Sequence, residues 1–548
     1  MRRLFRSAVL ATAATLAIAA SPAFAQAGPV VKAPAGAVQG VREGNVDVFH
    51  AIPYALPPTG ERRWRPPAAM PAWSGVRAAT AAGPACMQPP PGPGIYHRDL
   101  PAMSEDCLIL DVTRPVRARL APVMVWIHGG TLITGSSQSP SYAGAAFAKR
   151  GVVLVSINYR LGMLGYLAHP ALSAESPEHV SGNYGLLDQI AALSWVQRNI
   201  AAFGGDPANV TVFGESAGAL STEYLLTSPK ARGLFARAIV ESGYLFTMPE
   251  LHAARYEERS AEEIGATLAQ KLGAPDLTAL RAMDAATLTN GSLAAGYLPN
   301  GTIDGVVLKR QLVDTFDRGE QARVPVIAGF NAGEARTLRQ LLPPLPAGPD
   351  AYVAAVSARY GDLAGRFLAL YPPSDLEQAR LAAARDVTFG WTAERLARKQ
   401  AAAGRPGFVY FFDHDYPAAA AAGVTAFHAS EVPFVFGTLA STPPNWPRIP
   451  DTPGELALSD AMLDYWTSFA RTGTPVSAGG PAWRPFAAGD AVMEFGAAPR
   501  LLTSFMPDMF PLHEEVMCRR RSAGTQSWNW RAGSTAPVLP PPAASCRP

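Results

Sequence analysis

Val210-Thr211-Val212-Phe213-Gly214-Glu215-Ser216-Ala217-Gly218 joins a β-branched, apolar run to a small-residue segment, Ala217 to Leu226, that can form a helix. A G-x-S-x-G between strand and helix is the signature of a nucleophile elbow. The serine must sit on a turn tight enough for its hydroxyl to stand clear of the backbone. Gly214 and Gly218 lack the Cβ atoms that would block that turn and the approach of neighbouring chain.

The same alternation extends outward. Val46 to Tyr54, Leu108 to Thr113, Pro122 to Ile127, Val152 to Asn158, Val210 to Phe213, Ala238 to Glu241, Val324 to Phe330 and Phe408 to Phe412 all read as strands. Several are continuous apolar runs, as strands covered on both faces require. Leu186 to Ile200, Tyr256 to Leu272, Leu363 to Tyr371 and Ser459 to Arg471 carry helical patterns. Strands alternating with helices predict an α/β fold: a central, mostly parallel twisted sheet with helices on both faces. Met248 to Thr315 is helical and poor in strand signals, and is a candidate insertion or lid over the catalytic face.

A serine hydroxyl needs a base, a group to orient that base, and donors for the charge that builds on the attacked carbonyl oxygen. The base should lie on a loop well after Ser216. His428, in Ala426-Phe427-His428-Ala429-Ser430-Glu431, has small neighbours that leave room to approach the elbow; His414 is its rival. The acid should fall between serine and histidine in the chain. Glu334 follows the buried-strand run Val324 to Phe330 closely, where α/β enzymes place their chemistry. Asp386 is the competing carboxylate. The donors should come from the turn His128-Gly129-Gly130-Thr131, after the strand Val123 to Ile127, and from the Ala217 N–H.

Composition narrows the class. The chain has 548 residues, 48% of them hydrophobic, which is ample for a large core, and a net charge of +3 marks no polyanion binder. The short basic run Arg519 to Arg521 reads as a solvated surface patch, so no nucleic-acid partner is expected. Arg2, Arg3 and Arg6 precede an apolar run, Ala8 to Ala20, and then Ala23-Phe24-Ala25. This predicts a signal peptide over residues 1–25, cleaved after Ala25, with residues 26–548 as one catalytic domain ending in a Pro-rich tail. A Sec-type signal is the primary reading, although Arg2-Arg3-Leu4-Phe5 loosely fits a twin-arginine one. No other segment is apolar enough to span a bilayer, which makes the expected location periplasmic or secreted. Four cysteines suit such a compartment. Three pairings are open: Cys86 with Cys107 is the local choice, and Cys518 with Cys546 would tie down the tail. No cysteine lies beside a histidine at zinc spacing, so neither a metal nor a cofactor is expected.

The chain resembles the type-B carboxylesterase and cholinesterase-like family of α/β-hydrolases, bacterial secreted branch. The resemblance rests on Phe49 to Ala55, Arg63 to Pro67, Ser104 to Leu108, Asn183 to Gln189, Phe203 to Pro207 and Phe213 to Gly218; Leu167 to Pro177 points to the bacterial branch. It implies a serine carboxylesterase acting on small ester substrates through an acyl-enzyme, with Ser216, Glu334 and His428 as the triad. Alternatives are another acyl hydrolase (lactonase, thioesterase, amidase) or a binding protein on the same fold. The resemblance further implies Gly130, Thr131 and Ala217 as oxyanion donors, with Gly129 in the same turn. It implies a Cys86–Cys107 bridge, a carboxylate beside the nucleophile (Glu215) and a buried serine near the site (Ser242). Three positions depart from the family pattern, where glycine is usual: Thr131 in the turn, Ala335 after the acid and Ala429 after the histidine. The stretch between Cys86 and Cys107 contains no tryptophan, which argues against choline esters.

Overall fold

The computed structural model describes residues 28–487, 489–528 and 531–546; the expected signal peptide lies outside them. Eleven strands form one sheet: β1 (Val41–Glu43), β2 (Val46–Pro53), β3 (Ile109–Pro115), β4 (Ala121–Ile127), β5 (Val153–Ile157), β6 (Gly205–Glu215), β7 (Arg237–Glu241), β8 (Val326–Asn331), β9 (Gly407–Phe412), β10 (Val492–Phe495) and β11 (Pro499–Leu502). Their order is β11-β10-β9-β8-β7-β6-β4-β5-β3-β2-β1. Strands β4 to β10 are parallel, and antiparallel strands finish both edges.

The continuous apolar runs have their physical reason here. Along β4, Val123, Val125 and Ile127 feed one core while Met124 and Trp126 feed the opposite one. Strand β9 does the same, with Val409 and Phe411 on one face and Phe408, Tyr410 and Phe412 on the other. Helices α1 (Tyr184–Asn199), α2 (Ala217–Thr227) and α3 (Trp391–Ala402) cover the first face. Helix α4 (Pro453–Thr472) covers the second with Met462, Tyr465, Trp466 and Phe469. It starts two turns before the expected Ser459: Thr452 caps it by accepting from the Glu455 N–H, and Pro453 occupies the first turn.

The strand order reverses where β6 pairs with β4, which also pairs with β5. Chain leaving the carboxyl ends of β4 and β6 therefore diverges around one crevice. Gly214 pairs with Ile127 across that seam, so the His128–Thr131 turn and Ser216 begin side by side.

Two expectations change. Arg519 to Arg521 lie in a last helix, α5 (Met509–Ala523), and do not form a solvated patch. Arg519 and Arg520 are buried. Arg519 pairs with Asp362 and Glu515, and Arg521 with Asp314 and Asp317. Near the helix C-terminus the cations complement its dipole and pin the helix to the body. The Met248–Thr315 stretch is helical, with helices at Ala261–Lys271, Leu277–Ala282 and Ala285–Ala294, but it packs with Met163, Leu164 and Leu167 in a satellite core. The cover over the catalytic crevice comes instead from the segment between Cys86 and Cys107 and from residues 337–340.

Both disulfides pair locally, Cys86 with Cys107 and Cys518 with Cys546. The second joins α5 to the tail. No helix among the described residues is long and apolar enough to cross a membrane.

Candidate active site

Ser216 sits at the end of β6 with φ 57° and ψ −120°, a strained conformation for a residue with a side chain. Its N–H donates to the Glu241 carbonyl of β7 at 2.9 Å, and α2 begins at the next residue. The flanking glycines are a steric necessity. A Cβ at Gly218 would lie 2.0 Å from the Ile127 oxygen, and one at Gly214 would lie 2.5 Å from the Gly218 carbonyl carbon.

The His128–Thr131 turn is also strained. Gly130, Thr131 and Leu132 all have positive φ, at 106°, 57° and 59°. The Gly130 carbonyl accepts from the Ile133 and Thr134 N–H groups at 2.9 Å each and from Thr131 Oγ1 at 2.7 Å. Tied outward in this way, that carbonyl leaves the peptide edge with the N–H groups free. Among the described residues, the N–H groups of Gly130, Thr131 and Ala217 donate to no protein acceptor. Gly129 permits the approach of turn to elbow: a Cβ there would meet the Glu215 carbonyl oxygen at 2.7 Å and Ser216 Cβ at 3.2 Å. Gln88 fixes the turn from outside, donating to the Gly135 carbonyl and accepting from its N–H, both at 2.8 Å.

Glu334 opens a short helix just beyond β8 and is fully buried. Its Oε2 accepts from His428 Nδ1 at 2.5 Å. Its Oε1 accepts from Ser242 Oγ at 2.6 Å and from the Asn331 N–H at 2.9 Å. The acid is thus oriented by three donors, and the histidine tautomer by the acid. Asn331, which sequence reasoning missed, also donates through its side chain to the Phe427 carbonyl at 2.8 Å and to Glu431. Tyr96 was missed too: its hydroxyl donates to the His428 carbonyl at 2.8 Å and meets Thr337 Oγ1 at 2.7 Å. An asparagine closing a buried strand was a readable signal; a tyrosine in a Pro/Gly-rich loop was not.

His428 Nε2 lies 3.1 Å from Glu215 Oε1, without hydrogen-bond alignment. No hydrogen bond joins it to Ser216 Oγ in this resting arrangement, although both side chains line the same cleft. Catalytic hydrogen bonds are often loose without substrate and tighten in the Michaelis complex. Burial opposes charge on His428, but the Glu215 and Glu334 carboxylates, with the Glu334 hydrogen bond, outweigh it and push the imidazole above the ordinary histidine range. Burial pushes Glu215 up, against the pull of His428. A base must be neutral to accept a proton, so the acid limb of kcat/KM for an uncharged ester should lie above the free-histidine value of about 6.5. Glu215→Gln removes one of the carboxylates holding that proton. It should shift the limb to lower pH; an unmoved or raised midpoint would contradict this electrostatic account.

The rivals sit elsewhere. His414 pairs with Glu455 at 2.6 Å, and Asp386 with Arg385 at 2.7 Å and the Tyr371 hydroxyl at 3.0 Å. Neither lines the cleft. Of the glycine departures, Ala429 holds φ 67°, where glycine would be strain-free, while Ala335 lies in an ordinary helical turn.

A cleft of about 380 Å³ opens over Ser216, within the size range of small-molecule sites. Its walls are Gly129 to Thr131, Tyr142, Glu215, His428 and Ala429, with the loop from Pro91 to Leu100 and with Thr337, Leu338 and Gln340. A serine on a strand-to-helix elbow at the switch point of a mostly parallel sheet, beside a buried acid–imidazole pair, defines the α/β-hydrolase class. The comparisons narrow the class: the chain belongs to the carboxylesterase family, whose pattern matches residues 27–358 and 371–507. It is 38% identical over 483 residues to a fumonisin B1 esterase of Sphingopyxis macrogoltabida, covering 84% of this chain and 85% of that one. It is 35% identical over 455 residues to a para-nitrobenzyl esterase of Bacillus subtilis, covering 80% and 89%. Among solved structures, a carboxylesterase of Geobacillus stearothermophilus superposes with a TM-score of 0.74 at 34% identity, covering 90% of this chain and 100% of that one. The protein is a carboxylic ester hydrolase.

Proposed function

We propose that Ser216, His428 and Glu334 carry this hydrolysis through an acyl-enzyme. His428 Nε2 takes the Ser216 proton as Oγ attacks the ester carbonyl. Glu334 holds Nδ1–H and balances the imidazolium. The N–H groups of Gly130, Thr131 and Ala217 receive the oxyanion, and Gly129 lets turn and elbow meet. Each such donor is worth about 3–4 kcal/mol of transition-state stabilisation. His428 then protonates the leaving alkoxide, and water, activated by the same imidazole, releases the acid. Glu215, beside the nucleophile, adds a second negative neighbour for the transient cation. Thr131, β-branched and at positive φ, narrows the acyl side of the cleft compared with a glycine there.

The observation carrying this reading is the buried Glu334–His428 pair in the same cleft as a serine held in elbow geometry. We further propose that residues 26–548 act as one catalytic unit exported by the N-terminal signal, a location its two disulfides suit. An activated para-nitrophenyl ester in excess over enzyme should release a burst of nitrophenol stoichiometric with active sites, followed by slower steady turnover. Release that starts linearly, under conditions where acylation outruns deacylation, speaks against an acyl-enzyme.

A further inference from the structure

The cleft holds one permanent cation. Among its lining residues Arg98 is the sole arginine or lysine and Glu215 the sole acid. Arg98 lies in the loop closed by the Cys86–Cys107 bridge and is half-buried. Its Nη1 donates to the Tyr142 hydroxyl at 2.8 Å, and its guanidinium carbon lies 5.1 Å from the centre of the Tyr142 ring. Tyr142 is buried and wedged against Trp126 and Phe436. The guanidinium is therefore held in place at the cleft wall.

What Arg98 lacks is an acid. Arg63, Arg114, Arg160, Arg395 and Arg519, all well buried or nearly so, each meet a carboxylate; Arg520, buried against Tyr360, meets none, but unlike Arg98 it does not line the cleft. Among the described residues no carboxylate comes within ion-pair distance of Arg98, and its Nε and Nη2 have no protein partner. That free edge is the fork that matches both oxygens of a carboxylate. Burial raises Glu215, and Arg98 is among the charges pulling it back; burial lowers His128 to about 4, and Arg98 adds to that effect.

We propose that Arg98 is a specificity residue of the Ser216 site, binding a carboxylate that the substrate carries in addition to its scissile ester. The favoured substrates are then half-esters of dicarboxylic acids or esters of carboxylate-bearing alcohols, and cationic esters are disfavoured. The proposal rests on Ser216 being the nucleophile. The substrate's anion would complete the ion pair that the chain leaves open, since Glu215, the one acid lining the cleft, lies beside His428 and outside ion-pair distance of Arg98.

Four esters test it. On the acid side, the mono-para-nitrophenyl ester of adipate is compared with para-nitrophenyl hexanoate. On the alcohol side, the hexanoyl ester of para-hydroxybenzoate is compared with that of para-hydroxybenzamide. The wild-type enzyme should favour the charged member of at least one pair in kcat/KM by about tenfold or more, the scale of a charge-assisted hydrogen bond. The arm that responds locates the carboxylate. The preference should shrink at high salt. Arg98→Gln should abolish it while changing the neutral esters by no more than about threefold, and Arg98→Lys should restore part of it. A charged-to-neutral ratio near or below one in both wild-type pairs overturns the proposal whether or not the variants fold. So does an equal loss on charged and neutral esters in Arg98→Gln. Turnover of the neutral esters reports the Ser216 chemistry separately; absence of turnover on all four would sink the nucleophile reading and this proposal with it.

Discussion

Ser216→Ala will lower kcat by a factor on the order of 10⁶ while leaving the fold intact. The size follows from what is lost. Alanine keeps the backbone N–H groups of Gly130, Thr131 and Ala217, so a weak water reaction inside the oxyanion cradle survives, but no covalent intermediate can form. The fold is spared because the strained turn is held by the Ser216 N–H to Glu241 bond and by Gly214 and Gly218, none of which uses the hydroxyl. Steady-state assay of the purified variant, with its circular dichroism and melting curve, is the check. Wild-type-like turnover would remove Ser216 from the chemistry. A large drop in melting temperature would show that the side chain had a structural task the geometry does not reveal.

His428→Ala should cost a similar factor, and the double variant no more than either single one. In the proposed mechanism serine and base work as one device, so removing either removes the attack; additive losses would mean independent roles. His428 Nε2 rests against Glu215 in the cleft that Ser216 also lines. The base is thus held by Glu334 on one side and restrained by Glu215 on the other. The same two carboxylates that favour the imidazolium formed during attack also raise the pH at which the resting base becomes neutral.

The fold was legible where local pattern and tertiary demand agree. All eight expected strands are present, because strands buried on two faces must be apolar throughout and leave little ambiguity. Mid-chain helices such as Pro349–Tyr360 and Trp391–Ala402 escaped, and so did short or terminal elements. The hairpin of Val492–Phe495 and Pro499–Leu502 has four residues a side and sits at the sheet edge, too brief for a periodic signal. The first turns of α4 hid behind Pro453 and Gly454, which read as loop although proline suits a first helical turn. The Arg519–Arg521 run was misread for a different reason. Whether a basic run faces water depends on acids distant in sequence, here Asp314, Asp317 and Asp362.

The candidate site was readable where chemistry restricts residue type. An elbow serine, a glycine turn after an early strand, an acid past a buried strand and a histidine among small residues are each demanded by the reaction. The groups that only position those residues carry no such mark. Asn331 bracing the histidine loop, Tyr96 bridging to the His428 carbonyl, and Gln88 clamping the oxyanion turn become visible once three-dimensional neighbours are known. Arg98 belongs with them: in sequence it is one arginine in a loop of prolines and glycines, and in space it is the cation of the cleft.

The central claim is that the ester's acyl group passes through Ser216. Quenching the enzyme with acid during turnover of a slowly deacylating activated ester, followed by proteolysis and peptide mass mapping, measures this directly. An acyl mass increment on the peptide containing Ser216, absent from Ser216→Ala, is the result expected. An acyl adduct on another residue, or none when the burst shows that product has already left, would contradict it.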